Sequence, residues 1–178
     1  MKPLIQVGQA YMALSQGEQQ LQDGLFEEAA ESYSRAMEVS RTIPEEEAFD
    51  YLGFDALCHA GLSCSFVKLG RYSEALDSAE TALRYFNRRG ELNQDEGKQW
   101  IAVVVSHALA LDVLGRSKEA LVEFQKASEM IAERKGELPG QEEQQRLIRQ
   151  HIVKLQEEAT ALPDTKQPGY KAWWEFWS

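Results

Sequence analysis

The chain has 178 residues, 27% of them charged and 43% hydrophobic, with a formal net charge of −10 and a pI of about 4.9. That length suits one domain with a proper core. The charge excludes a reader of phosphate backbones, which needs a basic face, and disfavours an anionic membrane surface, so neither nucleic acid nor a membrane is an expected partner.

In chain order, the opening "MKPLIQVGQAYMAL" has no unbroken apolar core of a signal peptide, because Gln6, Gly8 and Gln9 interrupt it. A first helix is predicted over 4–22, closed by Gly24, and a second over 25–41. The stretch "IPEEEAFDYLGFDALCHAGLSCSFVKL" predicts one long third helix, 45–69, with Pro44 near its first turn and three glutamates at its positive end. Its cysteines, Cys58 and Cys64, lie six apart, face different sides and read as reduced core residues of a cytoplasmic protein. Asp55 and His59 are four apart and positioned to pair, with Asp50 nearby. His59, His107 and His151 lie on different helices and show no metal-ligand spacing, so packed or salt-bridged histidines are expected rather than a metal or nucleophile.

A fourth helix is predicted over 71–87. The loop "NRRGELNQDEGK" follows, carrying Arg88, Arg89, Glu91 and Asp95. It reads either as a solvated turn whose Asn93 or Asp95 caps the next helix, or as a polar recognition rim beside a groove. The fifth helix, 94–114, is apolar nearly all round over "WIAVVVSHALAL" and calls for cover on every side, yet it is too short and too interrupted to span a bilayer. A sixth covers 116–134. A seventh, 141–161, presents one stripe of Leu147, Ile148, Ile152, Leu155 and Ala159 and reads as a cap.

Residues 162–178 read as a linker, "LPDTKQPG", and an aromatic tail, "YKAWWEFWS". As a helix the tail places Tyr170, Trp173, Trp174 and Trp177 in one stripe. Such a stripe buries on the order of 600–1,000 Å². It suits docking in this chain's own groove, in a neighbour's groove or on another protein, and packing as ordinary core on the last helix stays open. A membrane-interface anchor is a third reading, disfavoured by the acidic charge of the chain and the lack of a basic cluster beside the stripe.

Three segments align without gaps: "GLFEEAAESYSRAME" from Gly24, "GRYSEALDSAETALR" from Gly70 and "GRSKEALVEFQKASE" from Gly115. Each has Glu-Ala at four and five residues after the glycine and a second alanine at twelve after it. The alanine pairs Ala29/Ala36, Ala75/Ala82 and Ala120/Ala127 are seven apart, on one helical face, and let a partner helix approach closely. A ring, Tyr33 or Phe124, fits between them in the first and third copies, where the second has Ala79.

In these residues, over roughly 5–135, the chain resembles the tetratricopeptide repeat (TPR), and the stretches "NRRGELNQDEGK" and "PEEEAFD…CHAGL" resemble stretches of small, uncharacterised bacterial TPR-like proteins. Copy one matches the family pattern with Gly24, Phe26, Ala29, Tyr33 and Ala36, copy two with Gly70, Tyr72, Ala75 and Ala82, and copy three with Gly115, Ala120, Phe124 and Ala127. The repeat distance of 46, then 45, exceeds the usual ~34. A long-repeat variant is implied, the excess being expected mainly in the first helices of the second and third pairs. The resemblance implies an all-α, right-handed superhelical stack of three helix hairpins (about 4–41, 45–87 and 94–134) in a single domain, 1–161, with a capping helix and the aromatic tail.

The resemblance further implies that first helices line a concave groove. Registered on the glycines, that groove would be Tyr11, Leu14, Glu18 and Leu21, then Leu57, Ala60, Cys64, Val67 and Lys68, then Ala102, Val105, Ser106, Leu109 and Asp112. It is mostly apolar, with Lys68 its one basic residue, which argues against the basic clamp of TPR domains that hold acidic chaperone tails. The expected function is non-catalytic binding of a protein or peptide with an apolar or amphipathic helical segment. The alternative is a homo-oligomer assembled through exchanged tails. No phosphate-binding Gly loop and no "GxSxG" or "HExxH" occurs, so neither an enzyme nor a cofactor is expected.

Overall fold

The repeat glycines set the frame. Gly24, Gly70 and Gly115 take φ of 78°, 73° and 81°, the left-handed conformation that ends a helix without a Cβ clash. The next residue's amide then donates back to a carbonyl five residues earlier. These bonds run from Leu25 to Gln20 (2.8 Å), Arg71 to Phe66 (2.8 Å) and Arg116 to Leu111 (2.9 Å), and they satisfy the exposed end of each first helix. In the second and third copies the arginine after the glycine also forks onto the glutamate three residues on. Arg71 donates to Glu74 at 2.6 and 2.7 Å, and Arg116 to Glu119 at 2.8 and 2.6 Å. Both pairs are exposed and set the first turn of the helix that follows.

The computed structural model describes residues 2–161. It contains seven helices among them: α1 (Lys2–Gln22), α2 (Phe26–Ser40), α3 (Tyr51–Lys68), α4 (Tyr72–Arg89), α5 (Glu96–Val113), α6 (Ser117–Glu133) and α7 (Gln141–Ala161). Each packs on the next in sequence, so α1/α2, α3/α4 and α5/α6 form three hairpins and α7 closes the stack on α6. All six repeat alanines are completely buried, as are Phe124 and, nearly, Tyr33. The core falls into two clusters. One joins α1, α2 and the start of α3 around Tyr33, Phe54 and Cys58. The other runs from α3 to α7 around Phe86, Ile101, Leu111, Phe124 and Ile148. Leu57 packs against both.

The third helix begins at Tyr51, not near residue 45, and Pro44 lies outside it. Asp50 is the cap: its carboxylate accepts from the Gly53 amide at 3.0 Å. The Tyr51 hydroxyl donates to the carbonyls of Ile43 (2.8 Å) and Pro44 (3.1 Å), folding residues 41–50 into a turn-rich connection. Phe49 then lies edge-on between the rings of Tyr51 and Tyr11 and tilts against Phe54. Burial of these rings outweighs the helix propensity of the three glutamates. Part of the long repeat distance therefore lies in this connection and in 90–95, beside the 18-residue first helices α3 and α5.

The loop after α4 is used structurally. Asp95 sits at the cap position of α5 but makes no side-chain cap bond. Asn93 does not cap α5 either; its Oδ1 accepts from the Lys135 amide at 2.8 Å. Arg134 reaches back to the carbonyls of Leu92 and Gln94, and the Glu91 amide donates to Glu96 at 3.0 Å. The cap reading of α7 is met through Ile148 and Leu155, both nearly completely buried, while Leu147 remains half exposed and Ala159 exposed.

Candidate functional site

α3 and α5 lie side by side, and their facing stripes make a trough. On α3 the stripe is Leu57, Gly61, Cys64 and Lys68; on α5 it is Lys98, Ala102, Val105 and Leu109, each spaced by three or four residues on one helical face. Two adjoining cavities of about 220 and 450 Å³ share Cys64, Lys98 and Ala102 and so form one continuous depression. At one end α1 supplies Glu18 and Leu21. At the other, the turn Leu138–Pro139–Gly140 and the α7 residues Glu143 and Leu147 close it.

The floor is low because its residues are small. A Cβ added at Gly61 would stand 2.1 Å from Cζ of Tyr33, so the ring of α2 fills the space beneath α3 and only glycine fits above it. Ala60 and Ala102 continue that floor. Burial disfavours the thiolate form of both cysteines. Burial pushes Cys58 up to about 12, and burial likewise raises Cys64, which accepts a hydrogen bond from the Ser106 hydroxyl at 3.2 Å. Neither Lys68 nor Lys98 has a carboxylate within ion-pair distance among the described residues. The trough is thus apolar along its length, carries two free cations near its middle and has a glutamate towards each end.

Of the groove residues expected from sequence, Glu18, Leu21, Leu57, Ala60, Cys64, Val67, Lys68, Ala102, Val105, Ser106 and Leu109 line this trough. Tyr11 and Leu14 do not. Leu14 is buried in the first hairpin, and Tyr11 packs edge-on against Phe54 at 5.2 Å, outside the trough. Asp112 is taken up by α7: His151 lies 3.1 Å from its carboxylate and Lys154 3.4 Å. Lys98 was missed, although it extends the α5 stripe by one turn and corrects the reading of Lys68 as the one cation. The 138–147 wall was also missed; it comes from outside the repeats and carries no repeat signal. This wall supplies part of the cover that the apolar α5 calls for.

Arg88 and Arg89 are not a rim of this trough. They line a separate cavity on the opposite flank of α3, while Glu91 and Asp95 belong to the α4–α5 turn. A further open depression of about 710 Å³ follows the outer side of α7, lined by that helix alone among the described residues, and lacks a second wall. The tail residues Tyr170, Trp173, Trp174 and Trp177 lie outside the described residues.

Two of the histidines are separately engaged. His151 stacks on Phe124, centroids 4.7 Å apart. His107 is held between Glu123, at 3.2 Å, and Glu80, at 3.9 Å. Burial pushes the Glu123 carboxyl up, but His107 and Lys126 more than offset this and leave it below the usual carboxylate range. Asp55 and His59 do not form an ion pair, and no group of three metal-ligating side chains occurs among the described residues. No helix among them is long and apolar enough to cross a membrane.

Residues 2–144 match the family described as Domain of Unknown Function (DUF3856). A crystal structure of a TPR-like protein from Chlorobium tepidum TLS is 57% identical, with a TM-score of 0.85 over 88% of this chain and 99% of that one. No curated protein sequence matches the chain.

Proposed function

The chain belongs to the family described as Domain of Unknown Function (DUF3856), and from its trough we propose that it is a non-catalytic module that binds a protein or peptide through an amphipathic helical segment. The supporting observation is the continuous apolar trough between α3 and α5, lined by Lys68 and Lys98, which have no carboxylate within ion-pair distance among the described residues. An apolar stripe of i, i+3, i+4 and i+7 residues would fill the trough, and a flanking carboxylate would meet the lysines. A TPR-like stack displays its first helices to ligands in this manner, and the trough is built from the first helices. Membership of a long-repeat branch of the TPR family and a place in the cytoplasm form part of the same reading.

The test is hydrogen exchange on the full chain with a panel of synthetic amphipathic helical peptides. Protection confined to 57–68 and 98–109 is expected with an acidic amphipathic peptide. No protection there with any peptide sinks the reading.

A second reading rests on the presence, in the same chain, of an aromatic stripe of matching chemistry. The tail Tyr170–Trp177 would occupy a neighbour's trough and make a homo-oligomer. Light scattering separates the two: an oligomer that becomes monomeric when the chain ends at Pro168 supports tail exchange, and a monomer in both forms removes it.

A further inference from the structure

The outer flank of α3 has a chemistry opposite to its trough flank. A cavity of about 390 Å³ opens between α3 and α4, walled by Leu52, Asp55 and His59 on one helix and Arg84, Tyr85 and Arg88 on the other, with Arg89 at its edge. The α4 residues recur at three and four, so one helical face carries the guanidiniums. None of Arg84, Arg88 and Arg89 has a carboxylate within 4 Å among the described residues, whereas Arg71 and Arg116 are each forked onto a glutamate. On a chain of net charge −10, three uncompensated arginines around one cavity are a local reversal of sign. The helix dipole favours cations in the last turn of α4, which covers Arg88 and Arg89, but not Arg84 a turn earlier.

His59 adds a second observation. Its Nδ1 is buried in the cavity wall with no hydrogen-bond partner. Burial holds the imidazole below its ordinary pKa, with Asp55 opposing that effect and Arg41 and Arg84 adding to it. The ring thus has an unused hydrogen-bonding atom in the wall that Arg84 shares. Three carboxylates lie near, of which Glu96 accepts from the Glu91 amide at 3.0 Å. Asp50 is already engaged, by the Gly53 amide at 3.0 Å and the Tyr85 hydroxyl at 3.3 Å, while Asp55 lines the cavity and opposes an anion. The remaining wall is apolar: the Leu52 side chain, 65% exposed, Ala56 and the Tyr85 ring.

We propose that this cavity is a binding site for a small phosphate monoester carrying an apolar or aromatic body, held through Arg84, Arg88 and Arg89 with Leu52 and Tyr85 against the body. Guanidiniums match phosphoryl oxygens in geometry and charge, and a dianion answers three cations better than a carboxylate does. The volume suits a small molecule.

The probes are phenyl phosphate, inorganic phosphate and benzoate, titrated into the full chain at low ionic strength by calorimetry and by the NMR signals of His59. Saturable one-to-one binding of phenyl phosphate is expected, tighter than either comparison probe and with the His59 signals moving. Arg84→Ala with Arg88→Ala should weaken it at least tenfold. Arg146→Ala with Arg149→Ala on α7 should leave it unchanged, and Asp55→Asn should tighten it several-fold. The arginines are exposed, and circular dichroism checks that each variant stays folded. The trough variant Leu109→Glu should not alter it, which separates this site from the peptide reading. The proposal is overturned if no saturable binding occurs, if the α7 control loses as much as the α4 variant, or if Asp55→Asn has no effect.

Discussion

The two flanks of α3 differ in how their helical spacing is used. Towards α5 the helix presents Leu57, Gly61 and Cys64, whose side chains are small or apolar, so α1 and α5 come near and the surface left over is a trough. Towards the outer side it presents Leu52, Asp55 and His59, facing the arginines of α4 across a cavity. A helix that is apolar on most sides is ordinarily a core element. Here it separates an apolar surface from a cationic one within one helix diameter, and the separation depends on the glycine that lets Tyr33 sit beneath it.

The sharpest way to break the trough flank is Gly61→Ala. Alanine is the better helix former, yet its Cβ meets the Tyr33 ring, so a loss of about 2–3 kcal/mol is expected in denaturant unfolding. Gly8→Ala, where an added Cβ meets nothing within 4 Å, should instead stabilise by about 0.5–1 kcal/mol. If the two behave alike, the trough floor does not depend on close packing.

Next in size, Leu109→Glu places a carboxylate in the apolar trough. It should weaken an amphipathic peptide at least tenfold, about 1.4 kcal/mol, in fluorescence anisotropy. The outer flank is sharpened by Asp50→Ala, which removes the α3 cap and the Tyr85 partner. A loss of about 1 kcal/mol is expected, with faster amide exchange confined to the first turn of α3.

The smallest effect is acid dependence. His59 titrates below its ordinary value in the fold, so below about pH 6.5 the unfolded chain binds the proton first. Stability is therefore complete above that pH and declines as pH falls towards the depressed folded value. Glu123, also depressed, adds a loss in the same direction at lower pH. His59→Asn should flatten the upper part of the slope, read from denaturation midpoints between pH 7 and 5.

Much of the fold was legible because helix packing leaves periodic marks. The six alanines are at complete burial as their spacing required, and the three glycines take the left-handed φ that a helix end demands. The eleven trough residues found from sequence lie on α1, α3 and α5 for the same reason. Tyr11 and Leu14 failed because the first pair packs into its own core with the rings of residues 49–54, a contact set by the turn-rich connection and invisible to repeat register. Lys98 was legible in principle, one turn up a stripe already read.

Local chemistry in the sequence thus determined the helices, the glycine-closed ends of the first helices and the buried alanine faces, because each depends on contacts within one hairpin. Tertiary structure alone decided where α3 starts, which wall Leu138 and Leu147 provide and that Arg84, Arg88 and His59 share a cavity. Those outcomes depend on the balance of ring burial, helix capping and charge between elements far apart in the chain, which no local spacing records.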